Sequence, residues 1–400
     1  MKNGWPIKKL SDVADSISTG PFGTMLHKSD YVPEGIPLVN PMNIVDSRIV
    51  PSAKMMISEE TRNRLSNYVL RKGDVVVGRR GELGRCAIVT EKEDGWLCGT
   101  GSCFIRLSKQ VDEHFFAMLF GSGSIRRLLD DSSVGTTMSN LNHGILNALP
   151  IPVPPLSEQR RIVGILDEAF EGLATAKANA EQNLQNARAL FESHLQAVFT
   201  QRGDGWVEKT LDEIAKVFGR GKSRHRPRNE PSLYGGKYPF IQTGDVRNAG
   251  LIIESYTQTY SELGLAQSKL WPTGTVCITI AANIAETAIL GFDGCIPDSI
   301  IGVVVDEAKA DNKFVLYLLK SFKAHLQAQG KGSAQDNINV GTFENQAFPF
   351  PSLRVQTKIV ATLDSLSEQT QRLESLYQRK LATLDELKKS LLHRAFSGEL

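Results

Sequence analysis

The chain has 400 residues, of which 22% are charged, and its formal net charge at pH 7 is +2. This composition is typical of a soluble globular protein with two or three domains. No apolar stretch reaches the roughly 18 residues that cross a membrane, and the start lacks the apolar segment of a secretion signal, so we expect a cytoplasmic protein with no membrane partner. Because the chain is nearly neutral, a nucleic-acid-binding function requires positive charge concentrated in particular segments.

The cysteines are odd in number and include no Cys-x-x-Cys pair. We expect them to be reduced, half-buried strand residues, as is usual in the cytoplasm. They are Cys86, Cys98, Cys103, Cys277 and Cys295.

The first globular region, predicted to span 1–155, alternates short strands with glycine-containing turns. The pattern predicts, in chain order, a short helix at 9–14, a glycine-rich loop at 18–23, a strand at 36–39, a hairpin with strands at 75–77 and 86–89, a strand at 102–107, a helix at 113–130 and a polar loop at 135–142.

A long helix is predicted at 156–202. Prolines directly precede it, where a fixed φ and a missing N–H do no harm, and no proline interrupts 157–199. Apolar residues recur at three- and four-residue steps from Leu166 to Val198, a heptad-like pattern. About 40 helical residues span roughly 60 Å, and such an apolar stripe needs a partner helix.

The segment that opens this helix occurs twice. The sequence PVPPL at 152–156 recurs as PFPSL at 349–353, and matched positions are separated by 197 residues as far as Phe199 and Phe396. A repeat of this length indicates a duplicated half-protein rather than a solenoid. We therefore predict a second globular region at 203–352 and a second long helix at 353–400.

The two halves share framework positions but differ in their loops. Glycines, turns and apolar strand positions recur, whereas GRRG at 78–81 becomes TIAA at 279–282. This pattern is typical of two domains that share a fold and bind different things.

The connectivity predicts how the helices pair. The first helix leads into the second domain, so the second helix must run back to bury its stripe on the first. We predict an α+β fold with pseudo-two-fold symmetry. It consists of two similar α/β domains with mixed, mainly antiparallel sheets, joined by two long antiparallel coiled-coil helices that hold the domains at a fixed separation.

Several motifs in a fixed order carry a family resemblance. They are PxPPLxxQxxIVxxLD at 152–167 and its echo from 349, WxxxxLxxI at 206–214, PFIQTGDV at 239–246 and GSAQxNIN at 332–339. With these motifs the whole chain resembles the specificity subunit of a type I DNA restriction–modification enzyme, in the order recognition domain, spacer helix, recognition domain, spacer helix.

The resemblance implies a function and a set of partners. Each globular domain would recognise one half of a split double-stranded DNA target, and the helices would set the spacer and dock two methyltransferase (M) subunits. Those subunits would bind S-adenosylmethionine and methylate adenine, and motor–nuclease (R) subunits would cut unmodified DNA using ATP and Mg²⁺. No cofactor is expected in this chain. Half-sites on one face of B-DNA lie roughly 34 Å apart, a distance that helices of roughly 60 Å can bridge.

Basic loops are the first candidates for DNA contact, because guanidinium and ammonium groups suit phosphates and guanine edges. The alternative for each is a solvated loop. They are Arg79, Arg80 and Arg85 in the first domain and Arg220, Lys222, Arg224, Arg226 and Arg228 in the second.

Polar loop residues are the second set of candidates, because amide groups can recognise adenine. They could equally cap local turns. They are Thr19, Thr136, Thr137, Ser139 and Asn140 in the first domain and Gln242, Thr243, Ser333, Gln335 and Asn337 in the second.

Enzyme signatures are missing from the sequence. Val39-Asn40-Pro41-Met42 lacks the second proline and the aromatic residue of an adenine-methyltransferase site, and the histidines form no spaced metal set. We therefore predict a DNA-binding specificity subunit without catalytic residues or metal ligands of its own. Two alternatives stay open: a coiled-coil adaptor that binds proteins, and a fragment of a self-contained methyltransferase–nuclease.

Overall fold

The structure is a computed structural model that describes residues 4–132, 141–224, 227, 230–281, 284–330, 341, 343 and 345–400. The chain divides into two compact units. Unit 1 comprises Met1–Glu181 and Arg379–Leu400, and unit 2 comprises Gln182–Gln378. Each long helix therefore contributes one part to each unit.

Unit 1 contains short strands, short helices and parts of both long helices. Its strands are β1 (Ile7–Lys9), β2 (Ala14–Thr19), β3 (Tyr31–Val32), β4 (Ile36–Val39), β5 (Ile44–Val45), β6 (Arg48–Ile49), β7 (Met56–Ile57), β8 (Val75–Gly78), β9 (Cys86–Ile88), β10 (Leu97–Cys98), β11 (Ser102–Leu107) and β12 (Pro150–Pro152). Its helices are α1 (Glu59–Arg64), α2 (Glu113–Phe120), α3 (Gly123–Ser132), α4 (His143–Ala148) and the first part of α5 (Leu156–Thr200).

Two four-stranded sheets form the body of unit 1. The first has the order β2-β11-β8-β9 and is antiparallel throughout. The second has the order β10-β4-β7-β3 and contains a parallel pair, β10 with β4. Strands β1 and β12 pair antiparallel directly before α5 and bring the start of the unit next to the start of that helix.

Unit 2 repeats this arrangement. Its strands are β13 (Val207–Lys209), β14 (Ala215–Arg220), β15 (Tyr234–Phe240), β16 (Ile252–Ile253), β17 (Gln258–Tyr260), β18 (Leu270–Trp271), β19 (Val276–Thr279), β20 (Thr287–Leu290), β21 (Gly294–Cys295), β22 (Ile300–Val305) and β23 (Phe348–Phe350). Its helices include α6 (Thr243–Asn248), α7 (Glu262–Ala266), α8 (Asn312–Gly330) and the first part of α9 (Leu353–Ser397).

The sheets of the two units share most of their strand order. The order β14-β22-β19-β20-β16 matches β2-β11-β8-β9 with an added parallel edge strand, and β17-β15-β21-β18 again contains one parallel pair, β15 with β21. The pair β13–β23 stands where β1–β12 stands in unit 1. The predicted fold class, two similar domains with mixed, mainly antiparallel sheets and two long helices, is confirmed.

Two local predictions were wrong. The short helix at 9–14 is a single helical turn, Leu10–Asp12, between β1 and β2. Leu10 and Val13 are both fully buried, and their three-residue spacing imitated a helix. The helix at 113–130 is two helices, α2 and α3, because the chain turns between them at Gly121, whose N–H still bonds to the carbonyl of Ala117.

The cysteines lie in strands and are free thiols, as predicted, but all five are buried rather than half-buried. Burial raises the pKa of Cys86, Cys103 and Cys277 to about 12. Thiols in such surroundings behave as small apolar side chains rather than as nucleophiles.

In unit 1 the two long helices run antiparallel. Arg161 near the start of α5 bonds to the carbonyl of Leu400 at 3.0 Å, whereas Lys177, further along α5, bonds to Asp385 at 2.9 Å. The partner's number falls as the position in α5 rises, so the directions oppose. Leu166 and Phe396 belong to the same buried core as the strands.

Unit 2 contains the second antiparallel stretch. Arg188 of α5 pairs with Glu374 of α9 at 2.9 Å. Further along α5, Phe199 shares a core with Leu363, which lies earlier in α9. Exposed ion pairs contribute little stability, so the shared apolar core is the main contribution to this packing.

One buried glutamine fastens each long helix to its unit. Gln159 is completely buried; its Oε1 accepts from the N–H of Asp112 at 2.8 Å, and its Nε2 donates to the carbonyls of Gln110 and Pro154. The three backbone partners fix the orientation of the amide, because an N–H requires the oxygen and carbonyls require the nitrogen.

The same contact is repeated in unit 2. Gln356 is completely buried, accepts from the N–H of Asp311 at 3.0 Å and donates to the carbonyl of Pro351 at 2.9 Å. Since Gln159 and Gln356 are the matched glutamines of the repeated motif, the repeat encodes this attachment.

We predict that Gln159→Leu and Gln356→Leu each destabilise their own unit by about 2–3 kcal/mol, because each leaves a partly buried N–H and a buried carbonyl without partners. Hydrogen exchange followed by mass spectrometry should show faster exchange at Asp112 or Asp311 in the affected unit alone. The control is Gln182→Leu, which removes an exposed side chain that bonds to Asn186 and should change stability by less than about 0.5 kcal/mol. Equal effects of all three substitutions would contradict the prediction.

Candidate nucleic-acid interface

The three described basic candidates of unit 2 lie where strands of its larger sheet end. Arg220 is the last residue of β14 and pairs with Ile301, whereas Thr279 ends β19 and pairs with Ile300. Because β14 and β19 both run antiparallel to β22, their carboxyl ends meet at one edge of the sheet. We call this edge, with the segment 220–224, the unit 2 edge.

A glycine sets the path of the chain at the unit 2 edge. The N–H of Gly221 donates to the carbonyl of Ile300 at 2.9 Å, and a Cβ on Gly221 would lie 2.1 Å from the carbonyl oxygen of Ile296. Only glycine allows this approach. On the preceding residue, Arg220 Nε donates to the carbonyl of Asp298 at 2.8 Å, which orients its guanidinium group.

Backbone atoms hold the rest of the segment. The N–H of Lys222 donates to the carbonyl of Ile296 at 3.0 Å, and its carbonyl accepts from Ser268 Oγ at 2.8 Å. The N–H of Arg224 donates to Gln267 Oε1 at 2.6 Å. Lys222 and Arg224 are exposed, so both charges are presented to solvent from a fixed backbone.

A fourth cation, Lys269, strengthens the positive potential here. Lys269 Nζ lies 3.9 Å from the centroid of the Trp271 ring. Burial, and then the charge of Lys222, lower the pKa of Lys269. Because a bound anion offsets the repulsion between like charges, the unit 2 edge is suited to a phosphate group.

A polar cleft of about 460 Å³ lies beside this segment. In its lining, Gln242 Nε2 donates to Gln258 Oε1 at 2.5 Å. The cleft is lined by Ser223, Tyr234, Phe240, Gln242, Thr243, Gln258, Pro297 and Ser299. Ser223 belongs both to the basic segment and to this lining. The structure thus places two predicted residues, Gln242 and Thr243, beside the basic segment.

Unit 1 has an edge of the same construction. Thr19 ends β2 opposite Cys103, and Gly78 ends β8 opposite Ser102. Gly20 repeats the role of the glycine in unit 2, since its N–H bonds to the carbonyl of Ser102 and a Cβ would lie 1.9 Å from a backbone oxygen. We call this the unit 1 edge.

Arg79 lies at the unit 1 edge and is anchored there. Its N–H donates to the carbonyl of Gly101 at 3.0 Å, and its Nε donates to the carbonyl of Leu141 at 2.9 Å. Leu141 returns a bond to the carbonyl of Arg79 at 3.0 Å. The structure therefore brings Thr19 and Arg79 to the two sides of the same strand, β11.

The other two arginines of this loop differ in their surroundings. Arg85 Nη2 bonds to Glu82 at 2.8 Å, and Arg126 bonds to the same carboxylate at 3.0 Å. The hydrogen bond from Arg85 and the charge of Arg126 lower the pKa of Glu82, so the positive charge of Arg85 is partly neutralised. Arg80 is exposed and has no ion pair with any residue that the structure describes.

Nine predicted residues lie outside the described residues, so their contacts with the edges stay untested. They are Thr136, Thr137, Ser139, Asn140, Arg226, Arg228, Ser333, Gln335 and Asn337.

The sequence analysis missed Ser223, Gln258, Lys269 and Ser299. Gln258 begins β17, which pairs antiparallel with β15 so that Gln258 lies opposite Phe240. Polar residues around these strands are visible in the sequence, but the pairing of β15 with β17 spans the 17 intervening residues 241–257 and has no sequence signature.

One group of consecutive side chains has metal-ligand chemistry. Carboxylate and imidazole atoms of Asp112, Glu113 and His114 lie within 4.8 Å of one another. Asp112 Oδ1 already accepts from the N–H groups of His114 and Phe115, so it serves as the cap of α2. This arrangement is explained by helix capping.

Comparisons with known proteins assign a family. The family model for the type I restriction modification DNA specificity domain matches residues 2–185 and 203–381. The putative type I restriction enzyme MjaX specificity subunit of Methanocaldococcus jannaschii is 22% identical, over 99% of this chain and 93% of its own length. The EcoKI specificity subunit of Escherichia coli K12 is also 22% identical, over 100% of this chain and 90% of its own length.

Solved structures share the fold. One chain comes from a structure described as showing complex assembly and conformational transition of the type I R-M system. It has a TM-score of 0.80 at 23% identity, and the match covers 100% of this chain and 99% of that chain. The HsdS subunit of Thermoanaerobacter tengcongensis has a TM-score of 0.65 at 22% identity, covering 99% of this chain and 97% of its own.

Two further observations concern the chain as a whole. Within the described ranges, no helix has both the length and the apolar character needed to cross a membrane. The matched segments of the family model coincide with the two repeated halves and include the sheet edges of both units. The chain belongs to the family of type I restriction–modification specificity subunits.

Proposed function

We propose that this chain binds a bipartite double-stranded DNA target, one half at the unit 1 edge and the other at the unit 2 edge. The observation that carries the proposal is the backbone-anchored cationic segment 220–224 beside a polar cleft, with a counterpart of the same strand geometry in unit 1. Cations on a fixed backbone bind phosphates, and nearby amides can recognise base edges.

We further propose that the chain has no catalytic activity and acts through partner subunits. Two methyltransferase subunits would dock on the long helices and supply S-adenosylmethionine, and motor–nuclease subunits would supply ATP- and Mg²⁺-dependent cleavage. At the two edges, the polar side chains of the described residues either bond to the backbone or face solvent, where they can contact DNA. Among them no nucleophile is paired with a base. We place the complex in the cytoplasm, where its DNA substrate is accessible.

The competing function is a coiled-coil adaptor that binds only proteins. Both functions use the long helices, but an adaptor has no use for the exposed Lys222 and Arg224. Salt-dependent binding to duplex DNA separates the two proposals.

We predict that Lys222→Gln and Arg224→Gln each weaken DNA binding to the same degree on all sequences. Each should reduce the slope of log K against log salt concentration by about 1, because one phosphate contact is lost. Fluorescence anisotropy of a labelled duplex, titrated with the complex of this chain and its methyltransferase subunits between about 50 and 200 mM salt, measures both quantities.

The matched control is Lys216→Gln. Lys216 is exposed on the same strand, β14, but lies at the other end from Arg220, so its loss should leave the salt slope unchanged. An equal slope change for Lys216→Gln, or none for the two edge variants, would argue against phosphate contact at the unit 2 edge.

We also predict that exchanging 203–352 for the equivalent segment of a relative with another target changes one half of the target only. The two units have separate cores, so unit 1 should keep its own half. Genome-wide mapping of methylated adenines in a host that carries the complete system measures the outcome. A change in both halves at once would contradict separate recognition by the two units.

A further inference from the structure

The polar cleft of unit 2 contains a pair of glutamines held as one recognition group. Gln242 follows β15 and Gln258 begins β17, and these strands pair antiparallel. Gln242 Nε2 donates to Gln258 Oε1 at 2.5 Å. The two amides therefore lie side by side, with hydrogen-bonding capacity left on each.

The remaining capacity of this pair is one acceptor beside one donor group. The mutual bond uses an N–H of Gln242 and the oxygen of Gln258, which leaves Gln242 Oε1 and the Gln258 amide nitrogen available. Among the described residues, no further hydrogen bond to these two atoms is formed by a side chain. Exchanging oxygen and nitrogen in both amides moves the acceptor to Gln258 and the donor to Gln242, so one acceptor beside one donor remains in either orientation.

One carboxylate holds both glutamines in place. Asp245 Oδ2 accepts from the backbone N–H of Gln242 at 2.8 Å, and its Oδ1 accepts from Thr257 Oγ1 at 3.3 Å. Thr257 directly precedes Gln258. The backbones that carry the two amides are thus fixed relative to each other before any ligand binds, which lowers the ordering cost of recognition.

An acceptor beside a donor matches adenine. In the major groove adenine presents its N6 amino donor next to its N7 acceptor, and glutamine amides bind this pair of atoms. Guanine presents two acceptors, O6 and N7, so its O6 would face an amide oxygen. The same geometry therefore favours adenine and disfavours guanine at one position.

The surroundings place DNA at this pair. Ser223 lines the cleft together with both glutamines and lies between the exposed cations Lys222 and Arg224. Phosphates bound by these cations would bring a base edge to the cleft beside them. Electrostatic positioning and base recognition then come from adjacent residues, as in other sequence-specific interfaces.

Unit 1 lacks this group at the corresponding place. Asn40 is the counterpart of Gln242, since the backbone N–H of each bonds to the side chain three residues later. The amide of Asn40 is used inside its own unit: Oδ1 accepts from the N–H of Gly101 at 3.3 Å, and Nδ2 contacts Met55 Sδ at 3.4 Å. The glutamine pair is a property of unit 2.

We infer that Gln242 and Gln258 jointly recognise one adenine in the half of the target bound by unit 2. This inference rests on the proposed function and adds a base identity and two specificity-determining residues to it.

The test replaces each adenine of that half-site, one at a time, by 7-deaza-2′-deoxyadenosine, which lacks the N7 acceptor. Mapping of methylated adenines identifies the target sequence, and the domain exchange identifies which half of it unit 2 binds. With the complex of this chain and its methyltransferase subunits, one replacement should weaken binding about tenfold. Gln258→Leu and Gln242→Leu should each bind the natural duplex about tenfold more weakly, and Gln258→Leu, which lacks the donor to N7, should no longer respond to that replacement.

Two further variants secure the outcome. Gln258→Glu keeps the size and the oxygen that accepts from Gln242 but removes the donor, so it should lose the response to the N7 deletion even if a leucine variant misfolds. Gln346→Leu, which removes a glutamine of unit 2 that lies outside both long helices and bonds to the carbonyl of Ala347, should keep both the affinity and the response.

The outcomes separate the two proposals. If the unmodified complex shows no salt-dependent binding to any duplex, the proposed function fails. If it binds its target but no adenine replacement matters, or if the response persists in every Gln242 and Gln258 variant, the inference about the glutamine pair is overturned while DNA binding stands.

Discussion

The attachment of each long helix depends on a single buried amide. Gln159 and Gln356 each bond to backbone groups of two segments. One group is a carbonyl of the proline-rich segment that precedes the long helix, and another is the N–H of the residue directly before α2 in unit 1 or α8 in unit 2. A buried N–H or carbonyl without a partner is costly, so the first turn of the helix has little freedom to shift along its unit. The strand pairs β1–β12 and β13–β23 bring the start of each unit to the same point. In each unit, this contact, the strand pair and the shared apolar core together set the position of the sheet edge relative to the helix.

The two units use a common framework to present different chemistry. At both edges a glycine packs against backbone oxygen, and the strands on either side of the central strand end together. In unit 1 the cations come from the loop after β8, with Arg79 bonded to Leu141 and Arg85 partly neutralised by Glu82. In unit 2 they come from the segment after β14. The same strand ends thus carry charge on different loops, which agrees with two domains that bind different DNA sequences.

Much of the fold could be predicted from the sequence because the repeat was long and the helices were strongly periodic. The absence of proline and glycine between Leu353 and Ser397 indicated the second helix, and the hairpin of β8 and β9 followed from two apolar runs on either side of a glycine-containing basic loop. Leu10 and Val13 misled, because a three-residue spacing of buried residues suits one helical turn as well as a helix. The site was predictable only in part. Charge runs such as 220–224 are visible in the sequence, but Gln258 joins Gln242 through strand pairing, and pairing is a property of the folded sheet.

The way the segment 220–224 is held has a consequence for how such proteins change over evolutionary time. Its contacts at Gly221, Lys222 and Arg224 are made by backbone atoms, so the side chains at 222 and 224 carry almost no structural burden. Point mutations there are tolerated by the fold while they alter the attraction for phosphate groups. The overall affinity for DNA can therefore change gradually at these exposed positions without a change in base preference, and Gly221, which directly precedes them, is the position that selection must keep.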